Sequence, residues 1–393
     1  MKEAVIVSAC RTAIGRAKRG SLVDVRPEDM GATVVLEALR RAGDLDPALV
    51  EDCILGCAMP EAQQGMNIAR QVWLRAKLPE SVPCKTVNRF CSSGLDAIAQ
   101  AAERIQVGAN DIVVAGGVES MSMIPMGGNK IVPHFDMATE FFPAYVGMGE
   151  TAENVARRYN ISRREQDELG ARSNALAIEA NEKGFFREQI VPLKAYRYEG
   201  TRGRQSFIFD VDEGPRKGTT VEVLSKLKPA FFKDGTVTAG NSSQMSDGAA
   251  ALVLMSREKA RDLGLKPLGR FVLEAVAGCR ADEMGVGPSV AIPLLLKKTG
   301  LRLEDIDVLE LNEAFASQAV YCVRKLGIEK WLDDRRLNPN GGAIALGHPL
   351  GCTGAKLAVQ ILYHMRDHNL KRGVVSMCIG GGMGAAGLFE RVD

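Results

Sequence analysis

The sequence predicts an α/β fold made of two similar halves, with a further lobe inserted between them. Three observations lead there. Short apolar runs that read as buried strands alternate with stretches whose apolar residues recur at helical spacing. The pattern of the first part of the chain returns roughly 260 residues later, an internal repeat. The segment 121–247 belongs to neither copy and is richer in charge and turn residues.

In chain order, Ala4 to Val7 reads as a buried strand. Met30 to Arg41 carries apolar residues at helical spacing and stops at Gly43. An acidic turn then leads to the strand Asp52-Cys53-Ile54-Leu55. Leu95 to Ile105 is the next helix, ending near Gly108, and Ile112 to Ala115 the next strand, closed by Gly116-Gly117. The second copy repeats these steps. Gly287 through Leu296 with Gly300 matches Gly31 through Leu39 with Gly43, and the strand Ile306 to Leu311 follows. Cys352-Thr353-Gly354-Ala355 and its helix match Ser92-Ser93-Gly94-Leu95 and theirs. Val374 to Cys378 then matches the strand at 112. The expected division is a first half at 1–120, completed by about 248–268, an insertion at 121–247, and a second half at 269–393. Within the insertion, Asn154 to Tyr159 and Arg163 to Gly184 read as helices, and Asp212-Glu213-Gly214-Pro215 as a turn. Such lobes often carry binding function, the alternative being decoration.

Composition narrows the function. With 46% hydrophobic and 25% charged residues, 393 residues are enough for a large core without staples. A formal net charge of +2 gives no global field for nucleic acid or a membrane surface. No apolar run approaches the roughly 20 residues of a membrane span. The run from Met1 to Cys10 is too short and mixed for a signal peptide. Nine dispersed cysteines without ligand spacing argue against a metal site and for free thiols in a reducing compartment, with the cytoplasm as default.

Four constellations carry chemistry. In Val87-Asn88-Arg89-Phe90-Cys91-Ser92-Ser93-Gly94 a strand ends at Cys91 and a small-residue helix begins. A helix N-terminus favours the reactive thiolate, although a lone cysteine is more often buried and inert. His348 alone of the four histidines sits among glycines before a helix start, in Asn340 to Gly354. Cys91 and His348 occupy similar places in the two repeats, so a pseudo-twofold axis would bring them together as an activated nucleophile pair. His364 and His368 lie near a helix end among charges and read as surface residues. Met377-Cys378-Ile379-Gly380-Gly381-Gly382 ends a buried strand in glycines whose N–H groups suit an oxyanion hole. The alternative, a phosphate loop, lacks the Lys-Ser/Thr it needs. Asn312, in Leu311-Asn312-Glu313-Ala314-Phe315, either caps the following helix or holds a water or an oxyanion.

Taken together and in this order, these motifs resemble the thiolase family over nearly the whole chain. Gly240-Asn241-Ser242-Ser243-Gln244 and Ser246-Asp247-Gly248-Ala249-Ala250 resemble the end of that family's inserted loop domain. The resemblance implies the thiolase fold, a five-layered α-β-α-β-α core, and a loop domain that holds coenzyme A. It implies Cys91 as the acylated nucleophile and His348 as its base and part of one oxyanion hole, with Asn312 positioning a water there. The N–H groups of Cys91 and Gly380 would form a second hole, and Cys378 would move the α-proton of acetyl-CoA. Ser243 would touch the pantetheine arm, Arg216 would lie near the nucleotide, and Phe315 and Met148 would line the pantetheine tunnel. Coenzyme A and acyl-CoA are then substrates, with no permanently bound cofactor. The family also implies a homodimer or homotetramer, and in some members a partner β-oxidation subunit. Phe90, and Gly147 where acetoacetyl-specific members often carry His, depart from the commonest pattern. The Phe90 departure implies a different acyl pocket, while Gly147 with Ser242-Ser243-Gln244 leans toward degradative 3-ketoacyl-CoA thiolases over acetyl-CoA acetyltransferases. A ketoacyl synthase-like enzyme would lack Cys378 and the inserted loop. A non-enzymatic acyl-CoA-binding module would not need Cys91, His348 and Cys378 together.

Overall fold

The computed structural model describes residues 2–392, apart from the side chain of Arg202. Met1 and Asp393, the outer ends of the two expected halves, lie outside the described residues. The first half supplies strands β1 (Ala4–Thr12), β2 (Asp52–Gly56), β3 (Cys84–Val87), β4 (Ile112–Ser120) and β5 (Ser246–Ser256). The second supplies β6 (Gly269–Gly278), β7 (Val308–Leu311), β8 (Arg372–Ile379) and β9 (Met383–Glu390). The principal helices are α1 (Pro27–Arg41), α2 (Ile68–Arg75), α3 (Ser93–Gln106), α4 (Met148–Arg158), α5 (Arg163–Glu182), α6 (Gly287–Thr299), α7 (Ala316–Leu326) and α8 (Leu350–Asp367).

The repeat seen in the sequence is a repeat of topology. β1, β5, β4 and β2 lie side by side with pairings antiparallel, antiparallel, parallel. β6, β9, β8 and β7 follow the same order with the same three pairings. The two sets are not separate sheets. A short antiparallel seam, Val5 to Arg270 and Ile6 to Gly269, joins β1 to β6 into one continuous sheet. Its two halves face each other across α3 and α8, which pack together in the middle. α1 and α2 cover the outer face of the first half, and α6 and α7 that of the second. These are the five layers.

The central position dictates the composition of α8. Every residue from Leu350 to Met365 is buried, as an all-round covered helix requires. α3 and α8 approach each other through small residues. A Cβ on Gly94 would sit 2.7 Å from the Ala355 nitrogen, and one on Gly354 would sit 2.3 Å from that of Leu95.

Several elements run past their predicted ends. β1 continues to Thr12 because its polar residues are satisfied inside: Ser8 donates to the Ala38 carbonyl at 2.6 Å, and Arg11 pairs with Asp212 through two 2.8 Å bonds. β4 likewise continues through Glu119 to Ser120. α4 begins at Met148, six residues before the predicted start, and α5 begins on a capping box between Ser162 and Glu165. The insertion also holds a hairpin, Leu193–Tyr198 with Arg204–Phe209, that sequence periodicity did not single out. No helix among the described residues is long and apolar enough to cross a membrane.

Candidate active site

β3 delivers the chain to a single 3₁₀ turn, Phe90–Ser92, that leads directly into α3. Phe90 has φ +43°, a left-handed conformation that costs a non-glycine residue about 1–3 kcal/mol. Local bonds hold it there. Phe90 N–H donates to Asn88 Oδ1 at 2.9 Å, Arg89 N–H to Ser93 Oγ at 2.9 Å, and Ser93 Oγ to the Phe90 carbonyl at 2.7 Å. The turn presents Cys91, which is 6% exposed. The N–H groups of Gly380 and of Cys91 itself both reach its sulfur.

The expectation that a helix start would favour the Cys91 thiolate is corrected here. Burial pushes the thiol up to about 11, and the two N–H groups only partly offset it. The free enzyme therefore carries Cys91 as a neutral thiol at physiological pH.

His348 follows Gly347, whose φ of +88° and missing Cβ leave room for Ser246 Oγ. The His348 N–H donates to the Gln244 carbonyl at 3.0 Å. The ring is fixed by its neighbours. Thr353 Oγ1 donates to the Pro349 carbonyl at 2.9 Å, so it accepts from His348 Nδ1, 2.6 Å away. That network assigns the ring proton to Nδ1 and leaves Nε2 as the basic nitrogen. Asn312 Nδ2 lies 3.3 Å from Nε2, and its Oδ1 is buried without a partner. Burial, then Lys356, lowers His348 to about 3, so the imidazole is neutral and able to accept a proton.

Cys378 lies near the end of β8, fully buried against Ala152, Val237, Met284, Ala314 and Phe315, with Met148 packed on them. Burial raises its thiol well above the ordinary range, and the neighbouring Cys91 raises it further. The glycine run turns the chain back into β9. Gly381 and Gly382 have φ +82° and +85°, and a Cβ on Gly382 would sit 2.6 Å from the Cys279 carbonyl oxygen. A Cβ on Gly380 would sit 3.4 Å from Met148 Sδ.

A cavity of about 400 Å³ runs to these groups, lined by Cys91, His348, Met148, Phe315, Ser243 and Arg216 among others. The structure thus brings six of the nine predicted site residues to one cavity wall, with Asn312, Cys378 and Gly380 directly behind it. The Gly240–Gln244 motif does the joining. Ser243 N–H donates to the Ala314 carbonyl at 2.9 Å, Ser242 bridges Phe315, and Met245 bridges His348. Four larger surface hollows, of about 640, 590, 510 and 440 Å³, contain none of the predicted site residues.

Sequence reasoning missed several residues. Arg16 and Arg19 line the cavity beside Arg216, and burial, then these two charges, press the Arg216 guanidinium below its usual value. Their only sequence signal is the basic stretch Arg16-Ala17-Lys18-Arg19. Thr353, which orients His348, stands out in the sequence only as part of the repeat. His364 is a correction: it is 7% exposed, bonded to Asn340 at 3.1 Å, packed edge-on against Phe185 and lowered to about 4 by burial. A tertiary contact from the inserted lobe covers it, which helix-end composition does not foretell. Among the described residues no group of three or more His, Cys, Asp or Glu side chains is placed to hold a metal ion.

Comparisons with known proteins agree along the chain. Residues 4–258 match a family model described as "Thiolase, N-terminal domain", and residues 265–391 one described as "Thiolase, C-terminal domain". A 3-ketoacyl-CoA thiolase of Bacillus subtilis (strain 168) is 53% identical over 394 residues, covering 99% of this chain and 100% of that protein. The structure resembles the acetyl-CoA acetyltransferase of Bacillus anthracis (TM-score 0.89, 41% identity, 100% of this chain and 99% of that one). It resembles the dimeric peroxisomal thiolase of Saccharomyces cerevisiae to the same degree (TM-score 0.88, 41% identity, 100% and 98% covered).

Proposed function

The chain belongs to the thiolase family, and we propose that it is a 3-ketoacyl-CoA thiolase working through an acyl-Cys91 intermediate. The observation that carries the reading is a buried Cys91 whose sulfur receives two backbone N–H groups, in one cavity with a neutral His348.

The chemistry follows from the surroundings of each group. In thiolysis His348 Nε2 takes the Cys91 proton as the sulfur attacks C3 of a 3-ketoacyl-CoA. The oxyanion that forms lies against the Cys91 and Gly380 N–H groups, an arrangement in which each donor contributes on the order of 3–4 kcal/mol. The C2–C3 bond breaks, leaving acyl-Cys91 and the enolate of acetyl-CoA. The enolate oxygen faces the new Nε2–H of His348 and a water held by Asn312. Cys378 gives its proton to C2, and acetyl-CoA departs. Coenzyme A then returns a proton to the Cys378 thiolate as its sulfur attacks acyl-Cys91. The Cys91 thiolate leaves and recovers its proton from His348. Two cysteines in separate environments suit two tasks, acyl transfer and proton transfer.

The insertion 121–247 is the lobe that carries coenzyme A in this reading. Ser243, Phe315 and Met148 follow the pantetheine arm, and Arg216 with Arg16 and Arg19 meets the phosphates of the nucleotide. The halves in this reading are 1–120, completed by about 248–268, and 269–393. A homodimer is the expected assembly, on the precedent of the yeast relative. A reducing compartment, the cytoplasm, fits nine cysteines that are all free thiols.

The test is thiolysis over 3-ketoacyl-CoA chains from about four to about sixteen carbons, since each methylene contributes roughly 1–3 kcal/mol at most to discrimination. Intact-mass analysis of the quenched enzyme locates the acyl group. Activity across longer chains with acyl on Cys91 supports the reading. Activity confined to the four-carbon substrate makes the enzyme an acetyl-CoA acetyltransferase, and an unacylated Cys91 defeats the mechanism.

A further inference from the structure

Glu119, at the end of β4, has no part in the mechanism above, yet it is a fully buried carboxylate tied to both halves of the molecule. Oε2 accepts from Ala58 N–H at 2.7 Å and from Gly351 N–H at 2.8 Å. Oε1 accepts from Gln64 Nε2 at 2.7 Å and Met59 N–H at 3.3 Å, with Cys57 Sγ 3.8 Å away. All of these partners are donors, so the group they select is the ionised, acceptor-only carboxylate. Burial pushes Glu119 up and these donors oppose it.

The two bonds of Oε2 lead to different catalytic groups. On one side the Ala58 carbonyl accepts from Asn88 Nδ2 at 3.1 Å, and Asn88 Oδ1 accepts from Phe90 N–H at 2.9 Å. That chain of bonds ends on the strained turn that presents Cys91. On the other side Gly351 opens α8, where Thr353 orients the His348 ring. The contact is close: a Cβ on Gly351 would sit 2.6 Å from Cys57 Cα and 2.7 Å from Glu119 Oε2.

We propose that Glu119 is a positioning residue that sets the alignment of Cys91 with His348 by pinning the start of α8 and the Asn88–Phe90 turn to one carboxylate oxygen. The proposal rests on Cys91 being the nucleophile. Glu119→Gln keeps the shape but turns an amide N–H₂ toward groups that are themselves donors. Acylation of Cys91, followed by quenched mass analysis with acetyl-CoA, should slow at least about 10-fold, the scale of a misplacement below 1 Å. The KM for coenzyme A should stay within about twofold. The charge of Glu119 also raises the Cys91 thiol, so the midpoint of the iodoacetamide pH profile should move to lower pH in Glu119→Gln. Loosened packing would hydrate the Cys91 sulfur and lower that midpoint too, so the urea unfolding midpoint is read beside it, and Asn88→Ala, which keeps the Glu119 charge, separates alignment from both. Exposed Asn88 gives a second route if Glu119→Gln does not fold. Asn88→Ala cuts only the arm to Phe90 and should slow Cys91 acylation without shifting the unfolding midpoint. Wild-type acylation in folded Glu119→Gln or in Asn88→Ala overturns the proposal, as does slowed acylation with an unmoved alkylation midpoint. Cys91→Ala, run alongside, separates the premise. If it still becomes acylated, the nucleophile assignment fails and not the positioning role.

Discussion

Cys91 and Cys378 are both buried, and what separates them is what faces each sulfur. The N–H groups of Gly380 and of Cys91 itself meet Cys91, whereas Cys378 meets its own N–H among apolar side chains and Met148. Loading an acyl group needs Cys91, a base and an oxyanion hole, none of which is the Cys378 side chain. Cys378→Ala should therefore still form acetyl-Cys91, but lose condensation and deuterium exchange at the acetyl methyl by at least about 10²-fold. Exchange at the wild-type rate would remove Cys378 as the α-proton base. The same environment reverses the reactivity expected of Cys91 from sequence. With its thiol at about 11 and His348 at about 3, iodoacetamide should label the free enzyme slowly at pH 7 and faster as pH rises toward 11. The rate of acylation should show no step near pH 6.5 from His348, because that ring is already deprotonated throughout the neutral range. A stopped-flow pH series checks both. The identities of these groups were legible in their motifs. Their protonation was not, because desolvation depends on what the fold places around them.

At the scale of elements, the site depends on two central helices that start at its floor. α3 begins beside Cys91 and α8 just after His348, and they cross where neither can carry a side chain. Gly354→Ala would drive a Cβ to within 2.3 Å of the Leu95 nitrogen, a backbone atom that cannot swing away. The cost should reach or exceed the roughly 1–3 kcal/mol of ordinary overpacking, read as a lower urea midpoint. Acylation should fall with it, since the crossing also sets the separation of the two helix starts. In the inserted lobe, Arg216→Ala should raise the KM for coenzyme A with little change in kcat, because a contact far from the reacting carbon acts alike on ground and transition states. A large loss of kcat at unchanged KM would place Arg216 elsewhere. Element identities came through from periodicity and glycine stops. Element ends did not where a polar residue is satisfied from far along the chain, as Arg11 is by Asp212 across 201 positions.

The whole molecule holds one central hydrophobic layer made by both halves. Leu95, Ile98 and Leu252 from the first pack with Leu357, Ile361 and Phe389 from the second. Residues 265–391 produced alone would expose that layer, and should show no cooperative unfolding transition by circular dichroism. Acid should weaken the intact fold through buried His364. It is lowered to about 4 in the native state, while the unfolded chain takes up its proton near 6.5, so the unfolded state binds more protons between those values. Stability should fall as pH drops from 6.5 to 4, by an order of 3 kcal/mol from this group. His364→Gln should flatten that loss in urea titrations across the window.

The sequence by itself determined the chemistry-bearing motifs, the repeat and the alternation of strand and helix, because local spacing and glycine placement are written along the chain. Tertiary structure alone decided three things. It joined the halves into one sheet through a two-residue seam, since pairing between β1 and β6 depends on backbone geometry more than on side-chain type. It set the neutral resting state of Cys91 and His348, since burial is a property of the surrounding layers. And it brought Glu119 between Ala58 and Gly351, partners 61 and 232 residues away, where no local pattern reveals a shared carboxylate.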